Sequence, residues 1–344
     1  MKTEFFYCTI TVTNSEVHIY MKFGVIGTNF VSDFFMEGAK LEPKCEVVAV
    51  CSARQSKVEA FQQKYNIPQA FTDYKELVNV VDAVYIAVPN ALHFELSKYF
   101  LENKIHVFCE KPLASNATEV KELVRIAKEN QVYFHEGLVS LFQPNYQVVK
   151  ENLGLVGNLR QVNINFSKYS SRYDAYLRNE NPTTFRLELS NGATMDLGVY
   201  CVGFAIGLFG KPNKILSTAS LLENAADVAG STIYDYGNFV VSLSYSKVCD
   251  ANPLCEICGE LGTIHVNHPS LVSSVTFTDR LTKEVKNLGV EQKNNFYYEI
   301  SEMISQIENG KLEAKSVPLQ LSEDIHDVLT EMRKQSNIVF PADK

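Results

Sequence analysis

The sequence predicts an α/β protein with a doubly wound parallel sheet in its first part and an α+β domain with a large, mostly antiparallel sheet in its second. The chain has 344 residues, more than one hydrophobic core usually supports, so two domains are expected. Up to about residue 136, short apolar segments alternate with amphipathic ones, which is typical of parallel strands covered by helices on both faces. After Gly137 apolar residues recur at every second position over long runs, as in antiparallel strands.

The first part alternates between predicted strands and predicted helices. Strands are predicted at residues 23–26, 46–51, 83–88 and 105–109, and helices up to about residue 40 and at 56–65, 74–78, 92–102 and 117–130. The carboxyl ends of parallel strands meet at one edge of a sheet, and ligands of such folds bind there. We therefore expect one crevice, lined by the loops that follow these strands: 27–32, 52–54, 88–90 and 110–112.

The second part carries the period-two pattern, for example at Val162, Ile164 and Phe166, and one apolar helix predicted near residues 195–209. We predict a leader over residues 1–20, a first domain over 21–136 and a second over 137–344. No linker separates the two domains, so they should share an interface with the active site between them. The predicted helix at 295–308 and the tail at 322–337 could pack on either domain.

Composition excludes several classes of protein. Hydrophobic residues make up 46% and charged residues 21% of the chain, as in ordinary globular proteins. The formal net charge of −8 disfavours binding to nucleic acid or to an anionic membrane, because both are polyanions. We identify neither an apolar run of about 20 residues nor a signal peptide, so we expect a cytoplasmic protein that acts on a small molecule.

The eight cysteines are too sparse for a disulfide scaffold, and we expect reduced thiols. Cys255 and Cys258, with Cys249 before them and His265 and His268 after them, suggest a metal site at first sight. Their spacing fits no complete zinc pattern. The surrounding alternation favours two strands joined by a turn, and we expect no metal.

The turn after the first predicted strand holds Gly27, Thr28, Asn29 and Phe30 and ends at Ser32. It matches the dinucleotide-binding pattern G-x-G-x-x-G/A only at Gly27, so alone it is a weak signal, and an ordinary turn between strand and helix would explain it nearly as well. The required chemistry is present nonetheless. Gly27 permits a tight turn, Asn29 is a residue type that tolerates positive φ, and a helix N-terminus attracts a pyrophosphate.

The end of the second predicted strand favours NADP over NAD as the cofactor. The position where an acidic residue would bind the ribose 2′-hydroxyl of NAD is occupied instead by Ser52 and Arg54, which suit a 2′-phosphate. Arg54 could equally be a solvated residue of a helical first turn, so NAD stays open.

Three motifs resemble those of the Gfo/Idh/MocA oxidoreductase family. Cys109-Glu110-Lys111-Pro112 carries its Glu-Lys-Pro signature, Val88-Pro89-Asn90 with His93 looks like its loop after the fourth core strand, and residues 191–200 (NGATMDLGVY) look like its second-domain motif. The motif's final Tyr200, in place of the commoner His, is similar to the dimeric dihydrodiol dehydrogenase and glucose-fructose oxidoreductase type. The resemblance covers residues 22–344, and it departs from the family in the phosphate loop and in residues 136–144, which lack Trp-Arg.

The resemblance implies a Rossmann dinucleotide-binding domain, a substrate-binding and dimerisation domain, and a homodimer or higher oligomer that pairs through the large sheet. It assigns Val88, Pro89, Asn90 and Glu110 to the cofactor, together with Lys111. It also implies that Arg172 and Tyr173 line the substrate pocket, although a strand end with a solvated arginine explains these two almost equally well.

The residues fit the chemistry independently, because hydride transfer to or from an alcohol carbon requires a positioned acid/base for the alcohol oxygen. Tyr200 can exchange that proton, and the Lys111 ammonium would stabilise both its phenolate and an oxyanion. Asp196 lies four residues before Tyr200, on the same helical face, where it could orient either group. Considered alone, Lys111 would more often be a surface lysine and Tyr200 a core-edge aromatic residue.

The favoured interpretation is an NAD(P)-dependent enzyme that oxidises a secondary alcohol of a sugar, polyol or dihydrodiol, or reduces the carbonyl. The alternative is a non-catalytic NAD(P)-binding regulator of the same fold, for which Lys111 and Tyr200 would have no chemical use. Cofactor-assisted glycoside cleavage without net redox change would use the same cofactor site and remains a third hypothesis.

Overall fold

The computed structural model describes residues 20–344 of the chain. The predicted leader, apart from Tyr20, lies outside the described residues.

The first sheet has six strands, all parallel, in the order β3-β2-β1-β4-β5-β6. They are β1 Met21–Ile26, β2 Cys45–Cys51, β3 Gln69–Phe71, β4 Ala83–Ile86, β5 His106–Glu110 and β6 Phe134–Gly137, with helices α1 Phe30–Ala39, α2 Gln55–Tyr65, α3 His93–Glu102 and α4 Ala117–Asn130 between them. The predicted doubly wound sheet is confirmed. The loops after β1, β2, β4 and β5 leave its carboxyl edge together, as expected.

Two strands of this sheet have no counterpart in the sequence-based assignment. The β3 strand is only three residues long, too short for periodicity to show. In β6, the polar residues His135 and Glu136 occupy fully buried positions, so this strand lacks the apolar run expected of a buried parallel strand.

The second sheet has eight strands in the order β14-β13-β12-β11-β7-β10-β9-β8. They are β7 Leu159–Ser167, β8 Lys214–Leu221, β9 Asp227–Asp235, β10 Val240–Ser246, β11 Leu254–Gly259, β12 Gly262–Val266, β13 Val275–Asp279 and β14 Val285–Asn287. All neighbours pair antiparallel except β7 and β10, which are parallel. The predicted large and mostly antiparallel sheet is therefore confirmed.

Cys255 and Cys258 lie on β11, which pairs with β12 as the sequence indicated. Within residues 20–344, no three His, Cys, Asp or Glu side chains are grouped as a metal site would need.

Of the remaining helices in the described chain, two link the first sheet to the second, two lie between β7 and β8, and two follow β14. They are α5 Val139–Phe142, α6 Pro144–Asn152, α7 Ser171–Leu177, α8 Val199–Phe209, α9 Asn295–Glu308 and α10 Leu319–Gln335. The two last helices return to the first part of the chain: α9 packs on α1, and α10 packs on α4 as well as on α8 and β8. The tail therefore contacts both parts.

One expectation from the sequence needs correction. Residues Leu187–Phe209 are helical, long and apolar enough to cross a membrane by length and composition. In its most apolar 18-residue window, 72% is buried inside the protein, because α8 packs against β7 and β10 of the large sheet, and we describe it as a core helix.

Candidate active site

The loop after β1 is built around a glycine that no other residue can replace. Gly27 has a φ of +107°, and a Cβ atom there would lie 1.9 Å from the carbonyl oxygen of Ala87. The Gly27 N–H donates to the Cys51 carbonyl at 2.9 Å, and Ser32 Oγ donates to the Gly27 carbonyl at 3.0 Å. These contacts bring the turn against the ends of β2 and β4, at the carboxyl edge of the sheet.

Asn29 has a different role from the one its residue type suggested. Its φ is −95°, an extended conformation, and it is the N-cap of α1. Its side-chain oxygen accepts from Val31 N at 2.9 Å and Ser32 N at 3.3 Å. Two of the N–H groups expected to face a pyrophosphate are thus already paired. Within the described chain, the N–H groups of Thr28, Asn29 and Phe30 have no partner, so three donors remain for an anion.

The loop after β2 presents Ser52 and Arg54 as predicted. The Ser52 N–H is tied to the Phe71 carbonyl at 3.1 Å, which fixes the loop against β3. Arg54 is the N-cap of α2, makes no side-chain capping bond and is exposed. None of the hydrogen bonds or ion pairs among residues 20–344 involves its guanidinium, so this cation is available to an external anion.

His93 joins the loop after β4 to the loop after β5. Its ring nitrogens lie 2.8 Å from the Pro112 carbonyl oxygen and 2.9 Å from that of Val88. The ring is buried, and burial lowers its pKa although the two carbonyls oppose that shift. His93 therefore ties the loop after β4 to the loop after β5. Asn90 reaches the second part of the chain, where its amide donates to the Ser190 carbonyl at 3.0 Å, while Pro89 is exposed between them.

The structure brings Lys111 and Asp196 into contact. The Lys111–Pro112 peptide bond is cis. Lys111 Nζ donates to Asp196 Oδ1 at 2.8 Å and to the Asp196 backbone carbonyl at 3.1 Å. The other carboxylate oxygen, Oδ2, binds the ammonium of Lys247. Burial would raise the pKa of Asp196, but the two ammonium groups outweigh it and hold that pKa well below its ordinary value.

Tyr200 completes this group. The Lys111 ammonium lies 4.8 Å from the centroid of the Tyr200 ring, within cation–π range. Burial raises the pKa of Tyr200 to about 12, although Lys111 alone would lower it. The phenol is therefore protonated at neutral pH, a form that can serve chemically as a proton donor.

Glu110 turns away from Lys111 into the core. Its carboxylate accepts a hydrogen bond from the buried Tyr85 hydroxyl at 2.8 Å. Burial raises the pKa of Glu110 to about 7, against the opposing effects of Lys111 and of the Tyr85 bond. This carboxyl takes part in the interior of the first sheet, and its assignment to the cofactor stays a prediction.

The second-domain motif is folded around a buried carboxyl that sequence inspection missed. Asp227, at the start of β9, accepts hydrogen bonds from the Thr194 N–H and hydroxyl at 2.6 and 2.7 Å. Residues Thr194–Gly198 form a π-helical turn rather than the regular α-helix assumed for the Asp196–Tyr200 spacing. Such wide turns often occur at functional sites.

Arg172 and Tyr173 lie at the start of α7, next to this group but not in contact with it. The Ser170 N–H, at the N-cap, donates to the Lys247 carbonyl at 2.9 Å. Arg172 is exposed, whereas Tyr173 packs in an aromatic cluster 6.2 Å from Phe185 between ring centroids. No hydrogen bond or ring contact among the described residues joins either to Lys111 or Tyr200, so their substrate role stays a prediction.

Two further groups near the site carry no sequence signal that we recognised. Lys247 follows β10 as an ordinary strand-end lysine. Glu136 of β6 accepts from the Leu113 N–H at 3.0 Å and lies 2.9 Å from His326 Nε2. This fully buried pair holds the backbone just after Pro112 from the side of α10.

Comparison with known proteins identifies the family of both parts of the chain. The family model described as "Oxidoreductase family, NAD-binding Rossmann fold" matches residues 21–138, and that of the GFO/IDH/MocA C-terminal domain matches residues 149–265.

Similar proteins span nearly the whole chain. The uncharacterized oxidoreductase YgjR of Escherichia coli (strain K12) is 38% identical, covering 94% of this chain and 98% of that protein. The scyllo-inositol 2-dehydrogenase (NADP(+)) IolU of Bacillus subtilis (strain 168) is 36% identical, covering 94% and 99%. The trans-1,2-dihydrobenzene-1,2-diol dehydrogenase of Xenopus laevis is 28% identical, covering 93% and 99%.

The fold is also that of solved structures. A 3-ketoreductase from Actinomadura kijaniata, in complex with NADP and TDP-benzene, superimposes with a TM-score of 0.82 at 20% identity, covering 92% of this chain and 98% of that one. Together with both family matches and the two relatives above 30% identity, the fold and the Lys111 loop establish that the chain belongs to the Gfo/Idh/MocA family of NAD(P)-binding oxidoreductases.

Proposed function

We propose that this oxidoreductase transfers a hydride between a nicotinamide cofactor, preferably NADP, and the carbon of a secondary alcohol or its carbonyl in a sugar, polyol or dihydrodiol. The observation that carries the proposal is the contact of Lys111 with Asp196 and with the ring of Tyr200 at the carboxyl edge of the first sheet. This group offers an acid and a cation to one substrate oxygen.

The residues present fit a dinucleotide. Gly27 keeps the first turn free of any side chain, and the unpaired N–H groups of Thr28, Asn29 and Phe30 suit a pyrophosphate. Ser52 and Arg54 would hold a 2′-phosphate, since the exposed guanidinium has no partner in the described chain. Val88, Pro89 and Asn90 would lie along the remainder of the cofactor.

The bound nicotinamide would accept the hydride from the alcohol carbon, or return it to the carbonyl. In the reduction, the Tyr200 phenol donates its proton to the carbonyl oxygen and is left as the phenolate. In the oxidation, Tyr200 must first lose its proton to solvent, and the phenolate, favoured by Lys111, then accepts the alcohol proton as the carbonyl forms. Lys111 holds the substrate oxygen and stabilises its developing negative charge. Asp196 fixes the position of Lys111. Arg172 and Tyr173, on α7, would contact the rest of the substrate.

The substrate class draws on the relatives as well as on the geometry. A scyllo-inositol dehydrogenase and a dihydrodiol dehydrogenase are both similar over nearly the full chain, and both names describe oxidation at a carbon that bears a hydroxyl. Relatives with such substrates favour a cyclic compound with neighbouring hydroxyl groups.

We also propose a homodimer, in a cytoplasmic location, formed through the outer face of the large sheet. This face carries exposed apolar side chains on neighbouring strands, Leu216 of β8 and Ile233 of β9, which are paired in register. Small polar residues such as Ser242 and Asn163 continue the same row across β10 and β7.

Turnover and cofactor binding test this proposal. The purified protein is screened with inositols, sugars and a trans-dihydrodiol, with NADP⁺ and NAD⁺, for absorbance of the reduced nicotinamide. We expect turnover of at least one polyol, and tighter NADPH than NADH binding by calorimetry. Arg54→Ala should weaken NADPH binding by roughly tenfold or more, while the control Lys57→Ala, which removes an exposed cation from the same helix, should not.

Each alternative has its own outcome. Cofactor binding without turnover of any compound would favour the non-catalytic regulator. Cleavage of a glycoside without net change in the cofactor would favour redox-neutral chemistry. A clear preference for NADH would contradict the role given to Arg54.

A further inference from the structure

Lys247 is a buried lysine whose ammonium binds the Asp196 carboxylate at the oxygen that Lys111 does not occupy. It follows the last residue of β10, and its side chain is only 8% exposed. Its backbone is held on both sides, because its N–H donates to the Val228 carbonyl at 2.8 Å and its carbonyl accepts from Ser170 N at 2.9 Å. The ammonium is thereby placed on Asp196 Oδ2.

Asp196 therefore has one ammonium on each oxygen. A carboxylate paired with Lys111 alone would cancel most of the field of that lysine at any nearby point, since opposite unit charges in contact act at a distance as a weak dipole. With Lys247 bound to the second oxygen, the three groups together carry one net positive charge. The nearest aromatic ring to the Lys111 ammonium at this point is Tyr200, with 4.8 Å between Nζ and ring centroid.

We propose that Lys247 is a positioning residue for hydride transfer: by neutralising Asp196, it leaves the charge of Lys111 free to act on Tyr200 and on the substrate oxygen. Lys247 itself touches neither the acid/base nor the reacting atoms. The inference rests on the proposed function of Lys111 and Tyr200.

Other charged groups also lie near Tyr200 and influence its pKa. Lys111 favours its phenolate, whereas Glu110 from the loop after β5, Asp196 from the turn before α8 and Glu299 from α9 oppose it. Tyr85 of β4 is a further titratable neighbour. Because most of these groups are acidic or neutral, the loss of one positive charge should be felt at Tyr200.

The pH dependence of kcat for alcohol oxidation tests the charge balance. Lys247→Gln leaves the three groups neutral, so the rising limb should move to higher pH by about one unit and kcat near neutral pH should fall about tenfold, with little change in KM. Lys247→Arg should restore the wild-type limb. Asp196→Asn should move the limb to lower pH, and the double variant Asp196→Asn/Lys247→Gln, with one net positive charge again, should return it to its wild-type position.

The matched control is Lys168→Gln, which removes an exposed lysine from the end of the neighbouring strand β7 and should leave the limb in place. A Lys247→Gln enzyme whose limb stays at the wild-type pH, with kcat lowered equally at every pH, would show that the lysine is merely structural and overturn the inference. If wild-type turnover is absent on all substrates, the proposed function fails as well; an active wild type with an unmoved limb overturns only the role of Lys247.

Thermal unfolding of the wild type, Lys247→Gln, Asp196→Asn and the double variant, all without cofactor, gives a readout independent of turnover. If Lys247 and Asp196 are bound to each other, the double variant should lose less stability than the sum of the two single losses. Strictly additive losses would show that the contact contributes nothing and would overturn the inference.

Discussion

Asp196 shows how one carboxylate organises this site. Its side chain is 40% exposed although both oxygens bind ammonium groups that are largely buried. Each ion pair offsets part of the cost of burying a lysine ammonium, and removing Asp196 would leave two buried cations side by side. Because the two ammonium groups hold the pKa of Asp196 well below its ordinary value, the carboxylate stays ionised, and we assign it an orienting role rather than a proton-transfer role.

Lys111 and Tyr200 should act as one unit. Tyr200→Phe keeps the ring and removes the acid/base, so kcat should fall by roughly 10²–10⁴-fold. Lys111→Met should cost at least as much, because it removes both the help to Tyr200 and the oxyanion contact. The double variant should be little worse than the poorer single variant, since groups acting together are strongly non-additive.

Steady-state kinetics on the identified substrate measure these losses, and calorimetry with NADPH provides the control, because Tyr200→Phe should leave cofactor affinity nearly unchanged. Near-normal turnover of Tyr200→Phe would remove this residue from the mechanism, and additive losses would argue for separate roles.

Glu110 should make stability depend on pH. The pKa of this carboxyl is about 7 in the folded protein, because burial raises it from the ordinary 4.5. Its contribution is fully present below about 4.5 and is lost as pH rises through 7, since the folded state then retains a proton that the unfolded chain has released. We expect the free energy of unfolding to fall by up to about 3 kcal/mol over this interval.

Urea unfolding between pH 4.5 and 8 measures this slope. Glu110→Gln should reduce it, because the amide oxygen can still accept from Tyr85 but no longer titrates; the part that remains comes from Glu299 and Asp227, whose pKa values burial also raises. Glu102→Gln, at an exposed position, should leave it unchanged. An unaltered slope in Glu110→Gln would show that another group is responsible.

At the scale of the elements, the turn before α8 depends on the absence of a side chain at Gly192. This residue has a φ of +149°, and a Cβ atom there would lie 1.9 Å from Asp227 Oδ1. The close approach lets Asp227 reach Thr194, which starts the π-helical turn that carries Asp196. Together, Gly192, Thr194 and Asp227 thus fix the position of the turn that carries Asp196.

Gly192→Ala should therefore destabilise the protein by about 3 kcal/mol or more, through a strained backbone and displacement of Asp227. Thermal unfolding measures the loss. The control is Gly154→Ala, where the added Cβ would meet no atom within 4 Å and stability should hardly change. Equal stability of both variants would contradict the role given to Gly192.

At the scale of the whole molecule, the last helix packs back against the first domain. Helix α10 lies against α4 and α8, and its Thr330 hydroxyl accepts from the Ala117 N–H at 3.0 Å. Arg333 donates to the Ser115 carbonyl at 3.0 Å and pairs with Asp343. The last helix thus holds the first domain and the large sheet together, with the outer face of that sheet left open.

That open face should form the dimer interface. The wild-type protein should show a mass near twice 38.7 kDa, and Ile233→Asp should shift it towards the monomer, because a charge would enter an apolar contact. Light scattering at micromolar concentration measures both. The control is Leu281→Asp, at an exposed apolar residue in the turn between β13 and β14, which should stay dimeric. A monomeric wild type would contradict the proposed assembly.

The sequence by itself determined the class of fold and the carboxyl-edge loops, because these depend on local periodicity, which a single pass along the chain can detect. Its motifs, through their resemblance to the family, also pointed to Lys111, Asp196 and Tyr200 as candidates, and the structure brings these three together. Sequence inspection missed β3, which is very short, and β6, in which polar residues are buried. It also suggested a positive φ for Asn29, because the helix-capping role of that side chain was not recognised.

Only the tertiary structure decided which side chains form the ion pairs of the site. Lys111 and Asp196 are 85 residues apart, and Asp196 and Lys247 are 51 apart, so no local pattern links them. Lys247 and Asp227 look like an ordinary strand-end lysine and strand-start aspartate until the pairing of β7, β9 and β10 brings them against the turn that precedes α8. The contacts that position the site therefore arise from sheet registry, which is fixed only when the whole chain has folded.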